Sequence, residues 1–207
     1  MRRQGKGMRL RPSPVALAAL LVLVVFDRKG IGSAALLAAL VHECGHILAA
    51  RCLQLPMREL RVDVLGARLM TEGRMLSYGE EWLLAAAGPT MSLWASVAVA
   101  CLLNRSYFAL CFSASSLLLG LLNLLPVRSL DGGRMLEIAC ARFLGLRASR
   151  ALLSVTSFAV LFLLWALSVY FLLRVGDGLS LLCFSLGLFT RFLEGEGTLP
   201  FLEEIGA

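Results

Sequence analysis

Long apolar runs separated by short charged segments most constrain the fold of this 207-residue chain. A helix needs about 20 apolar residues to cross a hydrocarbon core of roughly 30 Å. Charged residues make up only 16% of the chain, whereas a soluble domain usually has about 25%. The sequence therefore predicts an all-α polytopic membrane protein, one domain over residues 1–207. Its six predicted spans are 12–26, 31–55, 81–103, 107–125, 151–173 and 178–192.

Lysine and arginine are distributed unevenly between these spans. The amino-terminal segment and the connections 56–80 and 126–150 contain most of them. The positive-inside rule therefore predicts that both termini and both long connections are cytoplasmic. Basic loops beside anionic lipid explain the net charge of +6, so we expect no nucleic-acid partner. We expect the first span to be a retained anchor rather than a signal peptide, because no cleavage site follows Phe26.

The connection 56–80 contains a segment with the period of a β-strand. Residues 60–64, LRVDV, alternate apolar and charged side chains, and Gly66 follows as a turn signal. One interpretation is a solvated cytoplasmic loop. The other is a short membrane-associated strand or β-hairpin, whose free edge at Val62 pairs with an extended peptide.

The six cysteines are scattered through the chain and none forms a Cys-x-x-Cys pair. A disulfide framework is therefore not expected. Since most of them fall in predicted spans, we interpret them as small hydrophobic residues of the core.

The segment LVHECGHILAA, residues 40–50, places three polar side chains inside the second predicted span. Its His42 and His46 are the two histidines of the chain. Residues four apart share one face of a helix, so both imidazoles can reach one metal ion, with Glu43 beside them. Ionisable side chains within a membrane are costly and usually functional. The alternative is a polar cluster that links helices by hydrogen bonds.

Two histidines leave a catalytic metal site one protein ligand short. No histidine remains, so the third ligand must be Asp, Glu or Cys. Asp131, in NLLPVRSLDGGRM at residues 123–135, is the best candidate. Pro126 would end the fourth span and let the following segment fold back at membrane depth, and Gly132 and Gly133 permit tight backbone geometry. The alternative is an ordinary aspartate that caps the next helix.

The two motifs, HECGH and NLLPVRSLDGG, resemble those of the site-2 protease family of intramembrane zinc metalloproteases. The resemblance implies that His42, His46 and Asp131 hold Zn²⁺ and that Glu43 is the catalytic general base for a zinc-activated water. It also implies that Asn123 binds the substrate backbone or the oxyanion. The expected reaction is hydrolysis of a peptide bond in or near a transmembrane or membrane-associated segment.

A third segment, AAAGPTMS at residues 85–92, resembles a Gly-Pro-x-x-Asn element of the same family. Ser92 stands where asparagine is common, so its role stays open. Close helix packing at Gly88 and Pro89 is the alternative explanation of this segment.

The expected architecture contains no PDZ insertion and no CBS domain. It is most similar to the compact sporulation branch of the family. That similarity implies a bacterial cytoplasmic membrane location and a pro-sigma factor or anti-sigma factor as substrate. The expected partners are a membrane-associated protein substrate, regulatory membrane proteins and the lipid bilayer.

Two other functions use the same residues. A non-enzymatic membrane protein could bind or transport a divalent metal, because intramembrane histidines and carboxylates also mark ion pathways. Such a protein would not need Glu43 beside the metal face. A catalytically inactive scaffold is less favoured, because every metal and base position is filled.

Overall fold

Helices make up most of the chain. The computed structural model describes residues 9–12, 27, 29–55, 57–63, 66–71, 76–102, 106–176 and 179–196. The chain divides into two units, Met1–Asn123 and Leu124–Ala207. In chain order the elements are β1 (Arg9–Pro12), α1 (Ile31–Cys52), β2 (Met57–Asp63), β3 (Gly66–Thr71), α2 (Tyr78–Leu102), α3 (Tyr107–Asn123), α4 (Asp131–Val175) and α5 (Leu179–Glu196).

Polar and backbone groups close both ends of α1. At its start, the carboxylate of Asp27 accepts hydrogen bonds from the Ser33 backbone N–H at 2.6 Å and the Ser33 hydroxyl at 2.7 Å. At its end, Gln54 takes the left-handed conformation with φ 53°. Leu55 N–H then donates to the Ala50 carbonyl at 2.9 Å, and Gln54 N–H donates to the Arg51 carbonyl at 2.9 Å. This is the Schellman arrangement, which stops the helix sharply.

Serine residues begin the next two helices. Ser77 and Glu80 form a capping box at α2: Ser77 N–H donates to the Glu80 carboxylate at 2.9 Å, and Glu80 N–H donates to Ser77 Oγ at 3.3 Å. Ser106 accepts from Ala109 N–H at 3.1 Å and caps α3. The two helix starts thus follow from local sequence.

Small residues let α1, α2 and α3 pack closely. Ala34, Ala38, Ala95 and Phe112 form a buried cluster between these helices. A reciprocal pair of hydrogen bonds joins α2 to α3. In it, the Ser96 hydroxyl donates to the Ser113 carbonyl at 2.7 Å and the Ser113 hydroxyl donates to the Ser96 carbonyl at 2.8 Å. Small residues and serine bonds are typical of helix contacts in membranes.

The connection after α1 contributes two strands to a sheet of order β1-β2-β3. Strands β2 and β3 pair antiparallel, with Leu60 opposite Leu69 and Val62 opposite Ala67. Strand β1 pairs parallel to β2 and places Pro12 opposite Val62. The prediction of a free edge at Val62 is therefore wrong, because β2 is the central strand and both of its edges are paired.

In the second unit, α4 contains a break and α5 packs along it. Gly145 has φ 79° and ψ 163°, which interrupts the helical conformation. Arg150 and Glu137 form an ion pair of 3.4 Å from opposite sides of the break. Buried apolar side chains join α5, α4 and the segment before α4; they are Val127, Leu161, Leu188 and Phe192.

Within the described residues, three helices are long and apolar enough to cross a membrane: Ile31–Cys52, Tyr78–Leu102 and the run Asp131–Arg174. Two shorter apolar helices, Tyr107–Asn123 and Leu181–Leu193, accompany them. Residues 13–26, which hold nearly all of the first predicted span, lie outside the described residues. The six-span count therefore stays a prediction.

The prediction that the cysteines are core residues is wrong for four of the six, whereas Cys111 packs against the cluster of Ala34, Ala38, Ala95 and Phe112. Cys44, Cys52, Cys101 and Cys183 are exposed, and Cys111 and Cys140 are partly exposed. In helices of a membrane protein an exposed apolar surface faces lipid, so hydropathy alone does not separate the core from the outer face.

Candidate functional site

His42 and His46 lie one turn apart on α1, and the Nε2 atoms of their rings approach each other. Nε2 of His42 and Nε2 of His46 are 3.3 Å apart, and the ring planes cross at 78°. His42 is only 5% exposed, and His46 is half-buried. The helix thus brings together two imidazole nitrogens that could bind a metal, in a place from which most solvent is excluded.

Helix α2 holds the other nitrogen of each ring. Nδ1 of His46 is 2.8 Å from the carbonyl oxygen of Leu84. A carbonyl only accepts, so Nδ1 of His46 donates a proton and Nε2 carries the lone pair. Nδ1 of His42 is hydrogen-bonded to Oγ of Ser92 at 3.0 Å. Outer partners of this kind orient metal-binding histidines and fix their tautomer.

The spacing of the two Nε2 atoms fits zinc. Tetrahedral zinc with Zn–N bonds of about 2.0–2.1 Å places two nitrogen ligands about 3.3–3.4 Å apart. The observed separation of 3.3 Å agrees with that value. The distance between these two nitrogens is therefore compatible with two ligands of one tetrahedral metal ion.

Glycines allow α2 to approach the histidines. A β-carbon on Gly88 would lie 2.7 Å from Nε2 of His42 and would collide with the ring of His46. A β-carbon on Gly45, between the histidines on α1, would lie 2.5 Å from the carbonyl oxygen of Ala87. Both glycines are buried. Their missing side chains make room for the rings and for the helix that supports them.

In the second unit, Asp131 is the first residue of α4 and is half-buried. Gly132 and Gly133 follow it and are buried against the segment that precedes the helix. A β-carbon on Gly132 would meet the Leu124 carbonyl, and one on Gly133 would meet the Val127 carbonyl. Their role is close backbone contact rather than a left-handed conformation.

A serine of α4 holds the same preceding segment. Arg128 N–H donates to Oγ of Ser157 at 3.0 Å, and the Ser157 hydroxyl donates to the Pro126 carbonyl at 3.4 Å. The backbone before Asp131 is therefore fixed from two sides, by the glycines and by this serine.

Residue types and burial agree with a metal-binding group. His42 is buried and His46 is half-buried in the first unit, and Asp131 is half-buried in the second. Two imidazoles and one carboxylate are a donor set found in catalytic zinc sites.

The two other predicted site residues are half-buried on their own helices. Glu43 follows His42 directly on α1. Asn123 ends α3, where its side-chain Nδ2 donates to the Leu119 carbonyl at 3.0 Å. That bond orients the amide and uses one of its two hydrogens.

No sequence motif identifies the partners of the histidine rings. The Gly-Pro-x-x-Ser element does not define the role of Ser92, and the Leu84 carbonyl has no sequence signal because every residue has one. The available signal was the Gly-Pro-x-x-Ser spacing itself. Gly88 and Ser92 lie four apart, so they share one face of α2, and that face contacts the histidines.

Comparisons with known proteins match part of the chain by sequence and most of it by fold. Residues 103–167 match the family model described as Peptidase family M50. That segment includes Asn123 and Asp131 but not the histidine motif. The structure is similar to that of the Site-2 Protease from Methanocaldococcus jannaschii, with a TM-score of 0.67 and 17% sequence identity over 93% of each chain. A comparison with curated proteins found no match.

These findings show that the chain has the site-2 protease fold and that residues 103–167 match a peptidase family. The predicted resemblance to the site-2 protease family is confirmed, and so is the predicted enzyme class.

Proposed function

We propose that this chain is an intramembrane zinc metalloprotease that hydrolyses a peptide bond in or near a transmembrane or membrane-associated segment of its substrate. The observation that carries the proposal is the pair of Nε2 atoms held 3.3 Å apart, with both Nδ1 atoms bonded to α2. A polar cluster that only linked helices would not need this spacing between the two rings.

His42, His46 and Asp131 are the proposed ligands. Zinc, when bound, would act as a Lewis acid that lowers the pKa of a water molecule to about 7. Glu43 would accept the proton of the attacking water and later donate it to the leaving amine. Its place next to His42 on α1 supports this role, because the carboxylate stays beside the face that the imidazoles share.

Asn123 is proposed to bind the substrate backbone or the developing oxyanion through the second hydrogen of its Nδ2. The bond from Nδ2 to the Leu119 carbonyl supports this role, because it holds the amide in one orientation before substrate arrives.

The proposed architecture has six membrane spans, with both termini in the cytoplasm. The basic connections 56–80 and 126–150 support this orientation. Since β2 is paired on both sides, a substrate in extended conformation would have to pair with an outer strand of the sheet rather than with Val62. We further propose a bacterial cytoplasmic membrane location, within the sporulation branch, with regulatory membrane proteins as further partners.

A pro-sigma factor or an anti-sigma factor is the proposed substrate class. The compact plan, proposed as six spans in one domain over residues 1–207, supports it by resemblance alone.

The test compares wild type, Glu43→Gln and Asp131→Ala, each co-expressed with a membrane-tethered candidate substrate and each purified for metal analysis. Glu43→Gln should retain about one zinc per chain and lose cleavage, because only the base is removed. Asp131→Ala should lose both the bound zinc and the cleavage activity. Glu81→Gln, in the first turn of α2, is the matched control and should keep both.

Undiminished cleavage by Glu43→Gln would refute the role of the base. Zinc binding without cleavage in wild type, with every candidate substrate, would favour a protein that binds or transports the metal.

A further inference from the structure

We propose that Ser92 is a positioning residue for metal binding, and that it acts through His42. Its side chain bonds Nδ1 of His42, whereas Nδ1 of His46 bonds a backbone carbonyl, that of Leu84. The inference rests on the proposed function in one respect, which is that His42 is a metal ligand.

Ser92 is inaccessible to solvent, with an exposure of 0%. Its Oγ is 3.0 Å from Nδ1 of His42, across the contact between α2 and α1. A serine in a helix often bonds the carbonyl four residues before it, but this hydroxyl is directed at the imidazole. Burial of both groups makes the bond strong and makes its loss costly.

The hydroxyl can pair with His42 in either tautomer. In the tautomer that binds metal, Nδ1 donates to Oγ of Ser92 and the Nε2 lone pairs of both histidines face each other. In the other tautomer, Ser92 donates to Nδ1, and Nε2 of His42 can donate to Nε2 of His46 over the 3.3 Å that separates them. A hydroxyl is both donor and acceptor, so it satisfies both states without moving.

The Leu84 carbonyl does not have this property. It accepts only, so it holds His46 in one tautomer in all states. The site thus combines one ring of fixed tautomer with one ring whose tautomer can change while its Nδ1 stays paired. Nδ1 of His42 therefore keeps its hydrogen bond to Ser92 both when metal is bound and when it has left.

The test uses the full chain with zinc, at matched detergent and pH. Ser92→Ala should weaken zinc affinity 10–100-fold in competition with a chelator, the loss expected for an outer partner of a metal-binding histidine. Saturating zinc should still give one ion per chain, because the ligands themselves remain. Ser96→Ala is the matched control, since Ser96 is also a buried serine of α2 but bonds to Ser113.

A spectroscopic readout separates positioning from general destabilisation. The chain has only two histidines, so ¹⁵N-histidine labelling gives signals from these rings alone. In zinc-loaded Ser92→Ala, the Nδ1 proton of His42 should shift upfield and exchange faster with water. The Nδ1 proton of His46, bonded to the Leu84 carbonyl, should be unchanged and serves as an internal control.

In Ser92→Ala, a zinc affinity within twofold of that of wild type, together with an unchanged His42 signal, would overturn the inference. If Ser92→Ala does not fold, Ser92→Cys takes its place, because it keeps the volume with a weaker hydrogen-bonding group. Ser92→Cys should show the same two effects, and wild-type values for both would overturn the inference equally.

Failure of the proposed function would give a different result. The wild-type protein would bind zinc, and its zinc affinity would depend on Ser92, but it would cleave no substrate.

Discussion

Gly88 of α2 faces His42 of α1 so closely that a β-carbon on it would lie 2.7 Å from Nε2 of the histidine. The glycine is needed for space, because it lies inside a regular helix and its backbone is not in the left-handed region. The residue that bonds Nδ1 of the same histidine, Ser92, lies one turn further along α2. One turn of α2 therefore both makes room for the ring and orients it.

Gly88→Ala should abolish zinc binding at micromolar metal. The added methyl group must displace one ring or move α2, because its neighbours are the imidazoles themselves. We expect a loss of at least about 100-fold in affinity, since a shift near 1 Å removes a ligand from bonding distance. Chelator competition measures this loss, and cleavage should fall with it.

Gly79→Ala is the matched control for that substitution. Gly79 belongs to the first turn of α2, and a β-carbon there meets nothing within 4 Å. Its substitution should leave metal affinity unchanged. Equal effects of the two substitutions would show that helix propensity, and not space at the histidines, explains the result.

Gly133→Ala should destabilise the protein by about 3 kcal/mol, toward the upper end for overpacked sites. Its β-carbon would meet the Val127 carbonyl and lie 2.9 Å from the Arg128 nitrogen. These are backbone atoms, which cannot rotate away. Gly79→Ala provides the comparison, because a β-carbon there meets nothing within 4 Å and its substitution should not destabilise the helix. Equal free energies of unfolding for the two variants, from thermal unfolding in detergent, would contradict the packing explanation.

The sequence predicts much of this architecture because membrane helices are long, apolar and locally capped. The bounds of α1 differ from the predicted span only at its end, where Gln54 forms a left-handed cap. Glutamine is not a usual residue for such a cap, in which glycine or asparagine is typical, so the helix end was placed three residues late.

Contacts between segments far apart in sequence were predicted less well. The pairing of β1 with β2 joins residues about 50 positions apart, and no local pattern specifies it. The histidines were found from their spacing on one helix, whereas the bond between His42 and Ser92 depends on how two helices pack. Packing geometry is set by many small contacts at once, which a motif does not record.

Asn123→Ala should lower turnover about 10²–10³-fold, the range for loss of one oxyanion donor. Zinc content should stay near one per chain, because the amide bonds the Leu119 carbonyl of its own helix and is not a proposed ligand. Metal analysis and cleavage rates on the same preparation check both parts. Loss of zinc together with activity would instead make Asn123 a structural residue.

Gln54→Gly should stabilise the protein by about 1 kcal/mol. Gln54 has φ 53°, a conformation that costs other residues about 1–2 kcal/mol and glycine little. Arg51→Gly, three residues earlier and inside α1, should destabilise by about 1 kcal/mol, because glycine is a poor helix former. Relative to wild type, the melting temperature should therefore rise in Gln54→Gly and fall in Arg51→Gly. A melting temperature lowered by both would mean that the Gln54 side chain makes a stabilising contact.

Asp27→Asn should lower the melting temperature at neutral pH but not at acidic pH. The Ser33 hydroxyl, and then the Ser33 backbone N–H, hold the pKa of Asp27 below its ordinary value of 3.8. The charged form is therefore favoured in the folded protein. Its stabilisation is complete above the ordinary pKa and is lost as the pH falls through the lowered native pKa. The difference in melting temperature between wild type and Asp27→Asn should accordingly become smaller at acidic pH. Ser33→Ala should reduce that difference, since it removes one of the two donors. A difference that stays constant down to acidic pH would show that the cap does not depend on charge.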